Sequence, residues 1–112
     1  MTGKIYTIAF YDEIQDEAAL QAYAALAAPA VLAAGARYLS RGEPVATYEA
    51  GLKARVTLLE WDSLEDALAL YEDPGYLAAL DKLGGTVKRD IRIVPAFDPD
   101  CLTANSTKSG GV

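Results

Sequence analysis

The chain contains no histidine and a single cysteine in 112 residues. The first absence removes the side chain that ordinarily titrates near neutrality, and with it Ser-His-Asp and Cys-His nucleophiles and histidine-ligated metals. General acid–base work then falls to carboxylates, tyrosines, lysine or arginine. The second absence excludes an intrachain disulfide framework. Cys101 sits in a small, polar C-terminal segment with nothing to activate it, and reads as an incidental thiol. Positive charge is scarce as well: ten Lys and Arg face sixteen Asp and Glu, a formal charge of −6. An acidic surface repels phosphate backbones, so nucleic acid is not an expected partner. Long apolar runs are missing. Ala18 to Ala36 is interrupted by Gln21 and Pro29 and falls short of the roughly 20 residues a spanning helix needs, so no membrane is expected. The opening MTGKIYTIAF goes straight into alternating strand residues, unlike a signal peptide, and the expected setting is cytoplasmic. A metal site built from carboxylates alone would need converging oxygens. Asp12-Glu13 and Asp16-Glu17 read instead as caps and solvated charges, so neither metal nor other cofactor is expected.

What is present is a 52% hydrophobic chain of one-domain length. Lys4 to Tyr11 is a strand, apolar in both alternating sets, which implies that both faces of the sheet are covered. One cover is a helix layer, the other a second subunit. Asp16 is placed to cap a helix running to about Ala34 through Leu20, Tyr23, Leu26 or Ala27, and Ala30 or Val31, with Pro29 predicting a kink or a break. Gly35 stops it. Arg37 to Ser40 is a second strand, and Val45 to Glu49 is expected to resume it as a hairpin arm before a turn at Ala50-Gly51. Lys53 to Trp61 is the third strand. Ser63 then opens a helix, with Asp66 in the acceptor position of a capping box. Asp73-Pro74-Gly75 is expected to stop that helix, and Tyr76 to open a further helical run ending at Gly84-Gly85. Thr86 to Ala96 is the fourth strand. The order βαββαβ is the ferredoxin-like, split βαβ arrangement of the α+β class: a four-stranded antiparallel sheet with both helices on one face. Residues 1–97 form this domain; 98–112 read as a flexible tail.

The segments PAVLAAGARYLSRGE and VTLLEWDSLEDALALYEDPGYLAAL carry a resemblance. Gly35-Ala36-Arg37-Tyr38, Arg41-Gly42, Glu60-Trp61 and Tyr71-Glu72-Asp73-Pro74-Gly75-Tyr76, in that order, resemble the signatures of the bacterial domain-of-unknown-function 1330 family. The resemblance covers residues 4 to 97. Ala36 replaces a second glycine of the usual pattern, a histidine before that pair is missing, and Asp81-Lys82 stand where an arginine is usual. The resemblance implies the dimeric α+β barrel superfamily: two ferredoxin-like units packed sheet to sheet. That superfamily includes cofactor-independent monooxygenases, cyclases, isomerases and lyases, often with a small organic ligand between sheet and helices. Fold analogy alone transfers none of these activities.

Two residues stand out for chemistry. Glu60 alternates with Val56 and Leu58, so it points to a covered face and must pair or titrate abnormally. Arg37 and Arg41 are its candidate partners, and the competing readings are a structural ion pair and an acid–base or ligand-anchoring role. Arg41, beside Gly42, can present its guanidinium to an anionic ligand. Tyr6, Tyr38, Tyr71, Tyr76 and Trp61 form an aromatic set that either packs core and dimer interface or lines a cavity for an aromatic or polyketide-like ligand. The expected function is a homodimeric small-molecule-binding protein, with a cofactor-independent enzyme and a non-catalytic binding or regulatory module as the alternatives.

Overall fold

The computed structural model of the chain describes residues 3–97; the expected tail, with Cys101, lies outside the described residues. Four strands, β1 (Ile5–Ile14), β2 (Arg37–Gly42), β3 (Val56–Trp61) and β4 (Val87–Pro95), form one sheet in the order β2-β3-β1-β4. All pairings are antiparallel. The helices α1 (Glu17–Ala33), α2 (Leu64–Ala69) and α3 (Pro74–Leu83), with a 3-10 turn at Leu70–Glu72, supply the second layer. This is the expected ferredoxin-like α+β fold. Among the described residues no helix is long and apolar enough to cross a membrane.

Local chemistry sets the helix starts. The Asp16 carboxylate accepts the Ala19 N–H at 3.1 Å, and the Ser63 hydroxyl accepts that of Asp66 at 3.1 Å. Each cap satisfies an orphan amide and contributes about 1 kcal/mol. Asp73 does the same for Tyr76 at 2.9 Å, and Pro74 occupies the first turn of α3. Asp73-Pro74-Gly75 therefore opens α3 instead of merely stopping the helix before it, because proline's missing N–H costs nothing at a first helical position.

Two other expectations change. Helix α1 runs unbroken through Pro29. Its buried stripe, Leu20, Tyr23, Ala27 and Val31, continues across the proline, while Ala25, whose carbonyl loses its partner, is on the exposed side where water can replace it. The segment Val45–Glu49 is not a strand. The stretch Lys53–Arg55 that would pair with it is itself loop, Pro44 offers no N–H, and Glu49 takes a positive φ of 53°. Residues 43–55 form a loop, and β3 begins at Val56 instead of Lys53.

Alternation divides the sheet. Thr7, Ala9, Tyr11, Leu59 and Trp61 are buried beneath the helices, and Trp61, fully enclosed, donates its indole N–H to Thr7 Oγ1 at 2.9 Å. Tyr6, Ile8, Phe10, Val56, Leu58 and Glu60 project from the opposite face and are only half-buried.

Gly35 joins α1 to β2 at φ 106° with no atom within 4 Å of where a Cβ would stand. A side chain there is opposed by the backbone alone. Gly35→Ala should cost about 1–2 kcal/mol, read as a lower urea midpoint with an unchanged m-value.

Candidate functional site

The sheet floor is lined by small residues where the helices cross it. Thr7, Ala9 and Thr57 face Ala24 and Ala27 of α1, and the space between them is not filled. The result is a hollow of about 510 Å3 counting its open mouth, of which about 40 Å3 is room for the centres of water-sized molecules. A single water needs roughly 10–15 Å3 by that measure, so a few waters or a small organic group fit. Tyr11, Tyr23, Tyr38, Tyr71 and Tyr76 wall the hollow, with Arg41 and Arg89.

Arg89 is the centre of the polar part. Its position opposite Tyr11 in the β1–β4 register puts it on the helix-facing side of the sheet. The guanidinium lies 5.0 Å from the Tyr23 ring centroid and 5.7 Å from that of Tyr11, a double cation–π arrangement. Nη1 donates to the Tyr23 hydroxyl at 3.1 Å, and that hydroxyl shares a 2.7 Å hydrogen bond with Tyr76. Tyr76 is held edge-on by Tyr23 and Tyr71, with ring centroids 5.9 and 5.3 Å away. Among the described residues no carboxylate pairs with Arg89.

Burial, with Tyr76 alongside, pushes the Tyr23 phenol well above its ordinary range, and Arg89 offsets only part of this. Burial also raises Tyr71, Tyr76 and Tyr38. For Arg89, burial disfavours the charge, but the electron-rich oxygens of Tyr23, Tyr76 and Tyr11 outweigh it and the net direction is upward. The hollow thus holds a permanent cation and neutral phenols, which act near neutral pH as hydrogen-bond donors and acceptors but not as bases.

A β-bulge aims the second arginine. In β2, Tyr38 pairs with Leu59 but Ser40 with Leu58, leaving Leu39 as the extra residue. The bulge reverses the alternation after it. Arg37 therefore stays on the outer face opposite Glu60, while Arg41 pairs with Thr57 and turns to the hollow, its guanidinium 5.6 Å from the Tyr38 ring centroid.

The family model for a domain of unknown function, DUF1330, matches residues 4–97. The chain belongs to the DUF1330 family. Among curated proteins no match is found. A solved protein of unknown function from Rhodopseudomonas palustris is similar, at 15% identity and TM-score 0.68 over 88% of this chain and 86% of that one. A candidate antibiotic biosynthesis monooxygenase from Nitrosomonas europaea is 20% identical, with TM-score 0.62 over 88% and 95% of the two chains. A dimeric ferredoxin-like protein of unknown function from Thermobifida fusca is also 20% identical, with TM-score 0.59 over 86% and 93%. At these identities the likeness is one of fold.

The residues singled out from the DUF1330 sequence divide between two places. Arg41, Tyr38, Tyr71 and Tyr76 line the hollow. Glu60, Tyr6 and Trp61 do not. Glu60 lies across the sheet, bonded to Arg37 Nε at 2.8 Å and approached by the Tyr6 hydroxyl at 3.5 Å. Arg37 also reaches Asp62 at 2.9 Å, and Lys4 meets Asp62 at 2.6 Å. Glu60 is thus part of an ion-pair chain on the outer face, and Arg41 is not its partner: it stands opposite Thr57, farther along β3, and faces the hollow. Sequence reasoning missed Arg89 and the role of Tyr23. Arg89 shares strand parity with Ile91 and Ile93, so the argument that drew attention to Glu60 applies equally to it. Tyr23 carried a core signal only.

Raised tyrosine pKa values fix a sign for this DUF1330 protein. The folded state holds these phenolic protons more tightly than the unfolded chain, so their contribution is complete below about pH 10 and is lost as pH rises toward the folded values. Urea midpoints should hold steady from pH 8 to about 10 and fall above it, with part of the 295 nm phenolate absorbance appearing only on unfolding. Ionisation of every tyrosine near pH 10 with the fold intact would contradict the network.

Proposed function

We propose that this protein is a homodimeric small-molecule-binding protein whose helix-side hollow takes a small acidic organic compound, of aromatic or polyketide type, and that it acts on it without a cofactor. The observation that carries this reading is Arg89: a cation held among phenols, lining a hollow, with no carboxylate partner among the described residues. A guanidinium in that setting is prepared for a carboxylate, an enolate or a phenolate. The Tyr23–Tyr76 pair adds hydroxyl groups that can shift their hydrogen bonds as charge develops on the ligand. The lining includes no carboxylate and its phenols are weak acids. The site therefore stabilises an anionic form of the ligand instead of generating it with a strong base. The same lack of a base favours the second reading, a binding or regulatory module that leaves its ligand unchanged. Mass spectrometry of ligand carried through purification, followed by incubation with that compound, separates them: conversion supports the enzyme, unchanged recovery the module.

Arg89→Lys keeps the charge but loses the planar fork and its stacking. It should weaken binding of benzoate, as a model acid, by roughly tenfold or more, about 1.4 kcal/mol, with Glu60→Gln as a control that leaves binding unchanged. Equal binding by Arg89→Lys would remove Arg89 from the site.

The dimer rests on the outer face of the sheet. Tyr6, Ile8, Phe10, Val56, Leu58 and Val94 make an apolar stripe between the Glu60–Arg37–Asp62–Lys4 chain and the Asp90–Arg92 pair. A self-complementary apolar face of this kind fits a two-fold contact. Leu58→Lys should convert a dimer to a monomer in light scattering at micromolar concentration; a monomeric parent would refute the assignment.

A further inference from the structure

The hollow has not one free arginine but two, and they enter from opposite edges of the sheet. Arg41 is on β2 and Arg89 on β4, the two outermost strands. Three inter-strand steps and a two-residue offset along the strands place their backbones roughly 16 Å apart. Both line the hollow, and the lining includes no carboxylate. Both lean on tyrosine faces, Arg41 on Tyr38 and Arg89 on Tyr11 and Tyr23. The ion pairs among the described residues belong to Lys4, Arg37 and Arg92, all on other surfaces. In a chain of net charge −6, two cations are thus held around one concavity without a counter-charge.

Two like charges at the rim and floor of one concavity attract an anion to the space between them. Arg89 is half-buried and anchored through Tyr23, whereas Arg41 is exposed. The bulge at Leu39 matters here, because strict alternation would have turned Arg41 to the outer face.

We infer that the ligand of this site is a small organic dianion, with one acidic group on Arg89 inside the hollow and a second on Arg41 at its mouth. This rests on the proposed binding of an acidic ligand at Arg89 and goes beyond it by assigning the second charge. The inner group is the anchor, and the outer one contributes attraction that salt screens more strongly.

The test compares terephthalate with benzoate, which share a ring and differ by one carboxylate, by calorimetric titration of the parent protein and of Arg41→Gln. Arg41 is exposed, so this substitution leaves the folded core intact. Terephthalate should bind at least tenfold more tightly than benzoate to the parent, with the steeper loss of affinity between 20 and 300 mM NaCl. In Arg41→Gln that advantage should shrink to twofold or less, with benzoate binding unchanged. If benzoate binds and terephthalate gains nothing, or if Arg41→Gln weakens both equally, the dianion assignment fails while acid binding at Arg89 stands. If neither acid binds, both fail.

Discussion

The contact between Arg89 and Tyr23 is the interaction on which the interior depends. A guanidinium taken out of water without a carboxylate needs replacement partners. Tyr23 supplies both an acceptor oxygen and a ring face, and Tyr11 supplies a second face. The contact also ties β4 to α1, so it joins the two layers at an edge of the sheet. Tyr76 completes it: its hydroxyl meets that of Tyr23 at 2.7 Å, and its place follows from the Asp73 cap that opens α3. Helix start, helix packing and site polarity are coupled through one pair of oxygens.

The two faces of the sheet serve different ends. On the helix side, small residues of β1 and β3 leave room, and tyrosines and arginines from six elements close around it. On the other side, an apolar stripe is bordered by ion pairs. Glu60 and Trp61 are neighbours in the chain and belong to opposite faces. Trp61 anchors the core, where a ring of that size contributes about 3–5 kcal/mol, and Glu60 stands in an ion-pair chain that solvent partly screens.

Much of the architecture was legible because it is local. The alternation of Lys4 to Tyr11, the caps at Asp16 and Ser63, and the stop at Gly35 each depend on a few consecutive residues. The arm expected at Val45–Glu49 failed because strand propensity needs a partner, and the residues that would pair with it, Lys53–Arg55, are not in a strand either. The site was legible in part. Arg41 and three of the tyrosines reach the hollow, whereas Arg89 and Tyr23 went unnoticed, one within an apolar strand and the other within a helix core stripe.

The residue order by itself determined the ferredoxin-like frame: periodicity, caps and turn residues act within a few positions of where they stand. Tertiary structure alone decided which charged groups share a space. A bulge at Leu39, which no residue preference announces, reverses the parity of β2 and separates Arg41 from Glu60. The packing of α1 over β4 brings Tyr23 to Arg89 across 66 positions of chain. Side-chain direction in a sheet depends on register, and register belongs to the pairing of strands and not to either strand alone.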